Sequence, residues 1–376
     1  VSSSVSNSHP STPPSNPLRY DPSVETPEAD EAETAAALAD TLLSISKTTY
    51  KDGGHGLRSV HAKSHGLLVG QLEVLDGLPP VLAQGMFARA DRYPVVMRLS
   101  TTPGDILPDS VSTPRGFAIK VMGVPGERLP GSERQTTQDF VLVNGPVFAV
   151  PDGKTFLGNL KLLAATTDRA PTAKKVVSAG LRGAEAVVEA FGGQSVTLKT
   201  MGGEPERHIL GERFYSQVPI RYGEYMAKVS VVPVSDELMA LSGAPLNVNG
   251  KPDGLREAVV DFFGRTGGTW ELRVQLCTDL ETMPIENAAV EWPEEKSPYV
   301  TVARITVEPQ TAWSPERSKA GDDRLSFSPW HGLAAHRPLG SIMRMRRHAY
   351  EMSARFRAER NGDDLGEPDG SFRLPA

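Results

Sequence analysis

One cysteine, Cys277, stands in 376 residues, which excludes an intramolecular disulfide and any site built from several thiolates. No run of about 18 apolar residues occurs, so a membrane-spanning helix is not expected. A strong charge of one sign is also missing. The 40 Lys and Arg face 46 Asp and Glu, giving −6, so nothing in the balance points to nucleic acid or an anionic membrane as main partner. The opening "VSSSVSNSHPSTPPSNPLRYDPS" lacks the apolar centre of a secretory signal, and the cytoplasm is the expected compartment.

With 39% hydrophobic residues the chain can bury a substantial core, in one large domain or two ordinary ones. Residues 1–25, rich in Ser, Pro and Asn, read as a flexible or draped arm, and 26–376 as a single domain. An amphipathic helix is expected over 26–50, starting at Thr26-Pro27. Strand-like runs follow at 65–77, 93–102, 115–124 and 138–150, then a helical interlude over roughly 152–192, then strands at 224–234, 269–277 and 299–307. With few helices between strands, antiparallel pairing is favoured, and two strand groups around an insertion suit a closed or nearly closed antiparallel barrel. A last helix is expected from Ser341 to Arg360. The fold class is therefore α+β, a barrel of about eight strands with surrounding helices.

That last helix carries "RMRRHAYEMSARFR" (344–357), in which Arg346, Tyr350 and Arg357 fall on one stripe. A guanidinium one turn from a phenol favours the phenolate, a hard ligand suited to ferric iron. Solvated helix charges around a core aromatic would give the same pattern. Elsewhere, "LRSVHAKSHG" offers Arg58 and His61, "MRLSTT" offers Arg98 and Ser100, and "VNGPVFAVPDGKTF" offers Asn144, Phe148 and Phe156.

Taken in order, these segments resemble the haem catalase superfamily. "RSVHAKSHG" looks like its distal-histidine segment, "RLSTT" its Arg-x-Ser-Thr strand and "PRGFAIKV" its Arg-Gly-Phe-Ala-x-Lys signature. "DFVLVNGPVF" is similar to the distal-asparagine segment and "RRHAYEMSARFR" to the proximal tyrosine helix. The resemblance implies haem b, with Tyr350 as the iron's axial ligand and Arg346 holding it as phenolate. It makes His61 the distal acid and base and Asn144 a distal hydrogen-bond donor. Arg58, Arg98 and Arg357 match the arginines that bind the haem propionates. Ser100 matches the hydroxyl that orients the histidine, Val60 the apolar residue above the iron, and Phe156 the aromatic beside the distal face. His65, His331, His336 and His348 are given no catalytic role.

Usual catalases continue well past the tyrosine helix into further segments, so the resemblance is closest to the small, minimal catalase-like proteins, many described as catalase-related peroxidases. It implies a catalase-like core without the large C-terminal domain, no NADPH site, and a homodimer. Thr113 stands where catalases carry a channel aspartate, and Thr102 where they carry a valine; Val60-His61 is catalase-like. The expected function is a haem peroxidase in which hydrogen peroxide or an organic hydroperoxide oxidises a small organic reductant through a ferryl state. Peroxide dismutation and fatty-acid hydroperoxide isomerase or lyase chemistry are the enzymatic alternatives. A lipid- or haem-carrying barrel is the non-enzymatic one.

Overall fold

Alternating β-branched and aromatic residues decide both where strands form and which face each one buries. The computed structural model describes residues 12–164 and 205–375. Strands β1 (Lys63–Val74), β2 (Arg92–Thr101), β3 (Arg115–Val121) and β4 (Gln138–Val143) pair successively, all antiparallel. β5 (Phe214–Tyr215) joins β4 to β7 (Tyr225–Pro233), and β8 (Gly268–Leu276) and β9 (Val300–Val307) lead back to β1. Eight strands therefore close into a barrel, while β6 (Ile220–Tyr222) pairs with β7 beside the ring.

The barrel core takes Val95, Met97 and Leu99 of β2, Phe117 and Ile119 of β3, and Trp270 and Leu272 of β8. The ring of Phe117 meets Phe214 at 5.2 Å and Trp270 at 5.9 Å between centroids. Because strand side chains alternate, Arg98 and Ser100 must then lie on the other face of β2. Polar groups at those two positions are thus placed outside the barrel core by the period alone.

Three helices pack on one another in a separate apolar cluster. α1 (Glu31–Gly53) buries Leu38, Leu42 and Ile45, and α2 (Gly153–Ala164) contributes Phe156, Leu157 and Leu160. α6 (Ser341–Asn361) adds Ala349 and Met352 to the same cluster, which also takes Val60. Gly362, at φ 66°, ends α6 in the left-handed conformation that a glycine adopts without strain. Three shorter helices, α3 (Asp236–Met239), α4 (Gly254–Phe263) and α5 (Pro315–Ser318), lie between β7 and α6. Among the described residues no helix is long and apolar enough to cross a membrane.

Several boundaries differ from the sequence expectation. β5 and β6, at 2 and 3 residues, are too short to show a period. The first helix begins at Glu31, not Thr26, because the Thr26 N–H is spent on Glu286 Oε1 at 2.9 Å and Glu25 is drawn away by arginines. β4 stops at Val143, where the side chain of Asn144 accepts the Arg115 N–H and breaks the ladder. Residues 12–25 of the arm segment lie against the body, with Leu18, Tyr20 and Val24 packed near the buried Cys277, whose thiol burial pushes up to about 11. The second half of the helical interlude, from 165, lies outside the described residues.

α6 is strongly polar, so its position depends on tertiary contacts more than on its own apolar stripe. Arg344, only 15% exposed, supplies the main one: it bonds Glu31 of α1, Glu25 of the arm and Glu286, all within 2.8–3.1 Å. Burial works against this charge, and Glu31 and Glu286 outweigh it and push the guanidinium up. Removing it leaves three carboxylates facing one another in partly buried space. Arg344→Ala is expected to destabilise the protein by roughly 3 kcal/mol in urea unfolding.

Residues after α6 return to the barrel through Glu367, which accepts from Lys120 Nζ at 2.5 Å and Thr137 Oγ1 at 2.8 Å. His331 Nδ1 lies 3.0 Å from Glu367 Oε1 and 3.4 Å from Asp139 Oδ2, close enough for charge pairing though poorly aligned for a hydrogen bond. Burial opposes charge on His331, but Asp139 and Glu367 outweigh it despite Lys120 and raise its pKa to about 9. A raised histidine stabilises fully below its unfolded value near 6.5 and stops doing so as pH rises through 9. Hydrogen exchange of residues 363–372 is therefore expected to accelerate, beyond intrinsic chemistry, between pH 6.5 and 9, and His331→Asn should flatten that rise.

Candidate functional site

The face of β1–β3 that alternation leaves outside the barrel core is where the sequence-selected residues gather. His61 precedes β1 at φ 55°, an unusual conformation for a residue with a side chain. Its Nδ1 lies 3.3 Å from Ser100 Oγ of β2. A Cβ built on Gly116 of β3 would come within 2.7–2.8 Å of the His61 ring and 2.8 Å of Ser100 Oγ, so only glycine fits between strand and imidazole. The ring keeps some solvent access but sits deep. Burial, then Arg98 and Arg346, hold its pKa down to about 3, so it is neutral at physiological pH.

Arg346 approaches from α6. Its Nη2 donates to Tyr350 Oη at 2.7 Å, the one-turn pairing that the helix stripe predicts, and its guanidinium lies 5.7 Å from the Phe148 ring centroid. Phe148 meets Phe156 edge to face at 5.0 Å. Val60, His61, Phe148, Phe156, Arg346 and Tyr350 are all only partly buried, and Arg346 contributes to the field at His61. Ser59 beside Val60 bonds Ser353, one turn beyond Tyr350, at 3.0 Å, which ties the histidine segment to α6 directly. A neutral imidazole and an arginine-paired phenol are thus accompanied by the partly buried apolar side chains of Val60, Phe148 and Phe156.

Asn144 is near this group through β3, since its N–H donates to Arg115 O, one residue from Gly116. Its amide is engaged: Oδ1 accepts the Arg115 N–H at 2.9 Å, and Nδ2 donates to Glu212 Oε2 at 2.7 Å. Glu212 also pairs with the Arg115 guanidinium. Thr113 donates to Thr102 O at 2.6 Å and offers no carboxylate to the site.

Arg58, Arg98 and Arg357 come from the segment before β1, from β2 and from α6, and they converge. All three are nearly buried. Burial and then the neighbouring Arg98 and Arg357 lower the Arg58 pKa; Arg357 is lowered by burial and Arg98 to about 10. What they meet was not legible in the sequence: a π-helical turn, Lys319–Asp323, whose carbonyls and Asp322 carboxylate receive them. Gly116 and Glu212 were likewise not singled out. The Arg-Gly-Phe run signalled Gly116, whereas nothing near Glu212 or Asp322 marks either.

The remaining histidines are accounted for by structure. His65 Nε2 lies 2.9 Å from Thr101 Oγ1 in full burial, and His336 accepts the Met86 N–H between Phe87 and Tyr222. His348 is exposed beside Glu351.

The donor set suits haem on three counts. A phenol with an adjacent guanidinium can serve as a ferric ligand. Val60, Phe148 and Phe156 are apolar or aromatic and only partly buried. Three clustered arginines suit two carboxylates, and the Nη1 groups of Arg98 and Arg357 make no hydrogen bond among the described residues. Gly116→Ala is expected to push the His61 ring away from Ser100, cost about 1–3 kcal/mol in unfolding, and shift the His61 ring resonances.

No family model and no curated protein sequence matches the chain. Solved structures do. A fungal catalase superposes with a TM-score of 0.58 at 18% identity over 85% of this chain and 65% of its own. Catalase A from Saccharomyces cerevisiae gives 0.57 at 18% identity over 83% and 63%. The chain thus spans somewhat less than two thirds of the length of the catalases it matches. On these likenesses and its own closed eight-stranded barrel, the protein has a catalase-like fold.

Proposed function

We propose that the protein is a haem-dependent peroxidase in which hydrogen peroxide or an organic hydroperoxide oxidises a small organic reductant. One observation carries the reading: Arg346 is bonded to Tyr350 while its charge is felt by a neutral His61 held against Ser100 and Gly116. A structural tyrosine would need neither partner. The two structural neighbours are catalases, which agrees with haem oxidoreductase chemistry.

Haem, when bound, would supply an iron that accepts two oxidising equivalents from a peroxide. Tyr350 would hold it, with Arg346 Nη2 donating to the phenol oxygen. Arg58, Arg98 and Arg357 would receive its carboxylates, and Val60, Phe148 and Phe156 would exclude water from its face. With Nδ1–H donating to Ser100 Oγ, His61 Nε2 is the free base. It takes the proton from one peroxide oxygen and returns it to the other, which departs as water or alcohol. The Asn144 amide, held against β3, does not titrate and would not compete with His61 as a base. Two reductant molecules, each losing one electron and one proton, complete the balance. Thr113 in place of a channel carboxylate favours reduction of a broader range of peroxides over rapid dismutation.

Purified protein reconstituted with ferric haem should show a high-spin Soret spectrum, which Tyr350→Phe should abolish or shift. His61→Ala should keep haem and lose peroxide cleavage by about 100-fold or more. A dye or phenol should be consumed with peroxide while little oxygen is evolved. Fast oxygen evolution without reductant would instead establish dismutation, and loss of diene absorbance from a fatty-acid hydroperoxide without reductant would establish isomerase or lyase chemistry. A protein that takes up no haem would overturn the reading.

A further inference from the structure

Two of the three arginines that the haem reading assigns to carboxylates, Arg58 and Arg98, are already held by one residue that reading does not use. Asp322 sits on the π-helical turn between α5 and α6. Its Oδ1 accepts from Arg98 Nε at 2.6 Å and Arg58 Nη1 at 3.2 Å; its Oδ2 accepts from Ser64 Oγ at 2.6 Å and Ser318 Oγ at 2.8 Å. Four donors from four segments saturate both oxygens. Such a carboxylate is a fixture of the site, since an incoming anion would have to break all four bonds to displace it.

The same turn supplies carbonyls. Arg58 donates to Gly321, Asp322 and Leu325, and Arg357 donates to Asp323 and Leu325. These carbonyls lie at the end of the helix, where they have no helical partner, and π turns frequently mark functional sites. Once these bonds are made, Arg98 Nη1 and Arg357 Nη1 remain without hydrogen bonds among the described residues, and neither is among the sealed, partnerless polar atoms. Burial raises the Asp322 pKa, but Arg98 and Arg58 outweigh it and hold the group near 2, so the carboxylate is permanent across ordinary pH.

We propose that Asp322 is a positioning residue: it clamps Arg58 and Arg98 and offsets part of their repulsion, so that the free edges of Arg98 and Arg357 are preset for the carboxylates of an incoming haem. This rests on the haem reading and adds to it a residue of this chain that touches no ligand itself. Binding then requires no rearrangement of three buried cations, and less conformational freedom is lost on loading.

The test compares ferric haem with its dimethyl ester, in which both carboxylates are masked, by absorbance titration of the full chain. Asp322→Asn is expected to weaken haem binding roughly 10- to 100-fold while leaving ester binding within about twofold of wild type. Ser318→Ala, which removes one donor and no charge, should show the same haem-selective loss at a few-fold and covers the case in which Asp322→Asn does not fold. Equal weakening of haem and ester would make Asp322 merely structural, and unchanged or tighter haem binding would make it a bystander or a competitor; each overturns the proposal. Wild-type protein binding neither form would instead sink the haem reading, and this inference with it.

Discussion

Three guanidinium groups cannot share a nearly buried space without a fixed counter-charge, and meeting that requirement dictates much of the architecture. Arg58, Arg98 and Arg357 arrive from a loop, a strand and a helix, so the elements cannot shift independently while the cluster stays neutralised. Asp322 and the π turn that carries it satisfy the cluster from a fourth direction. The carbonyls of Gly321 to Asp323, free because the helix ends there, take further N–H groups from Arg58 and Arg357.

The second demand is the placement of α6. Its sequence is too polar to dock by burial alone, and the Arg344 network with Glu25, Glu31 and Glu286 fixes its first turn against α1 and the arm. Further along, Ser353 bonds Ser59 and Arg357 reaches the π turn. Arg346 and Tyr350 lie between these fixed points, so the pair is held toward His61 by contacts on either side. The crowd of arginines on this helix therefore divides by role: Arg344 docks it, Arg346 pairs with the phenol, Arg347 reaches Pro130 and the Trp330 ring, and Arg357 joins the buried cluster.

Local patterns were readable where one residue's neighbours in sequence are also its neighbours in space. The Arg346–Tyr350 bond follows from helical spacing, and the outward placement of Arg98 and Ser100 follows from the strand period. Seven strands showed that period; β5 and β6 did not, because two or three residues cannot display one. The sequence also signalled the last helix nearly to its ends, since Gly340 and Gly362 bracket it. The start of α1 was misplaced for the opposite reason. Thr26-Pro27 is a good local start, but Glu286, some 260 positions away, captures the Thr26 N–H.

What sequence alone determined was the set of residues with chemistry to offer and the alternation that sends them to one side of a barrel wall. Those are consequences of covalent geometry and of period, which act within a few residues. Tertiary structure decided the pairings of charge: that Asp322 meets Arg58 and Arg98, that Glu212 takes the Asn144 amide, that Glu367 closes onto Lys120 and His331. Partners separated by up to 264 positions are chosen by barrel closure, because a buried charge or amide bonds whichever complementary group the fold brings within reach.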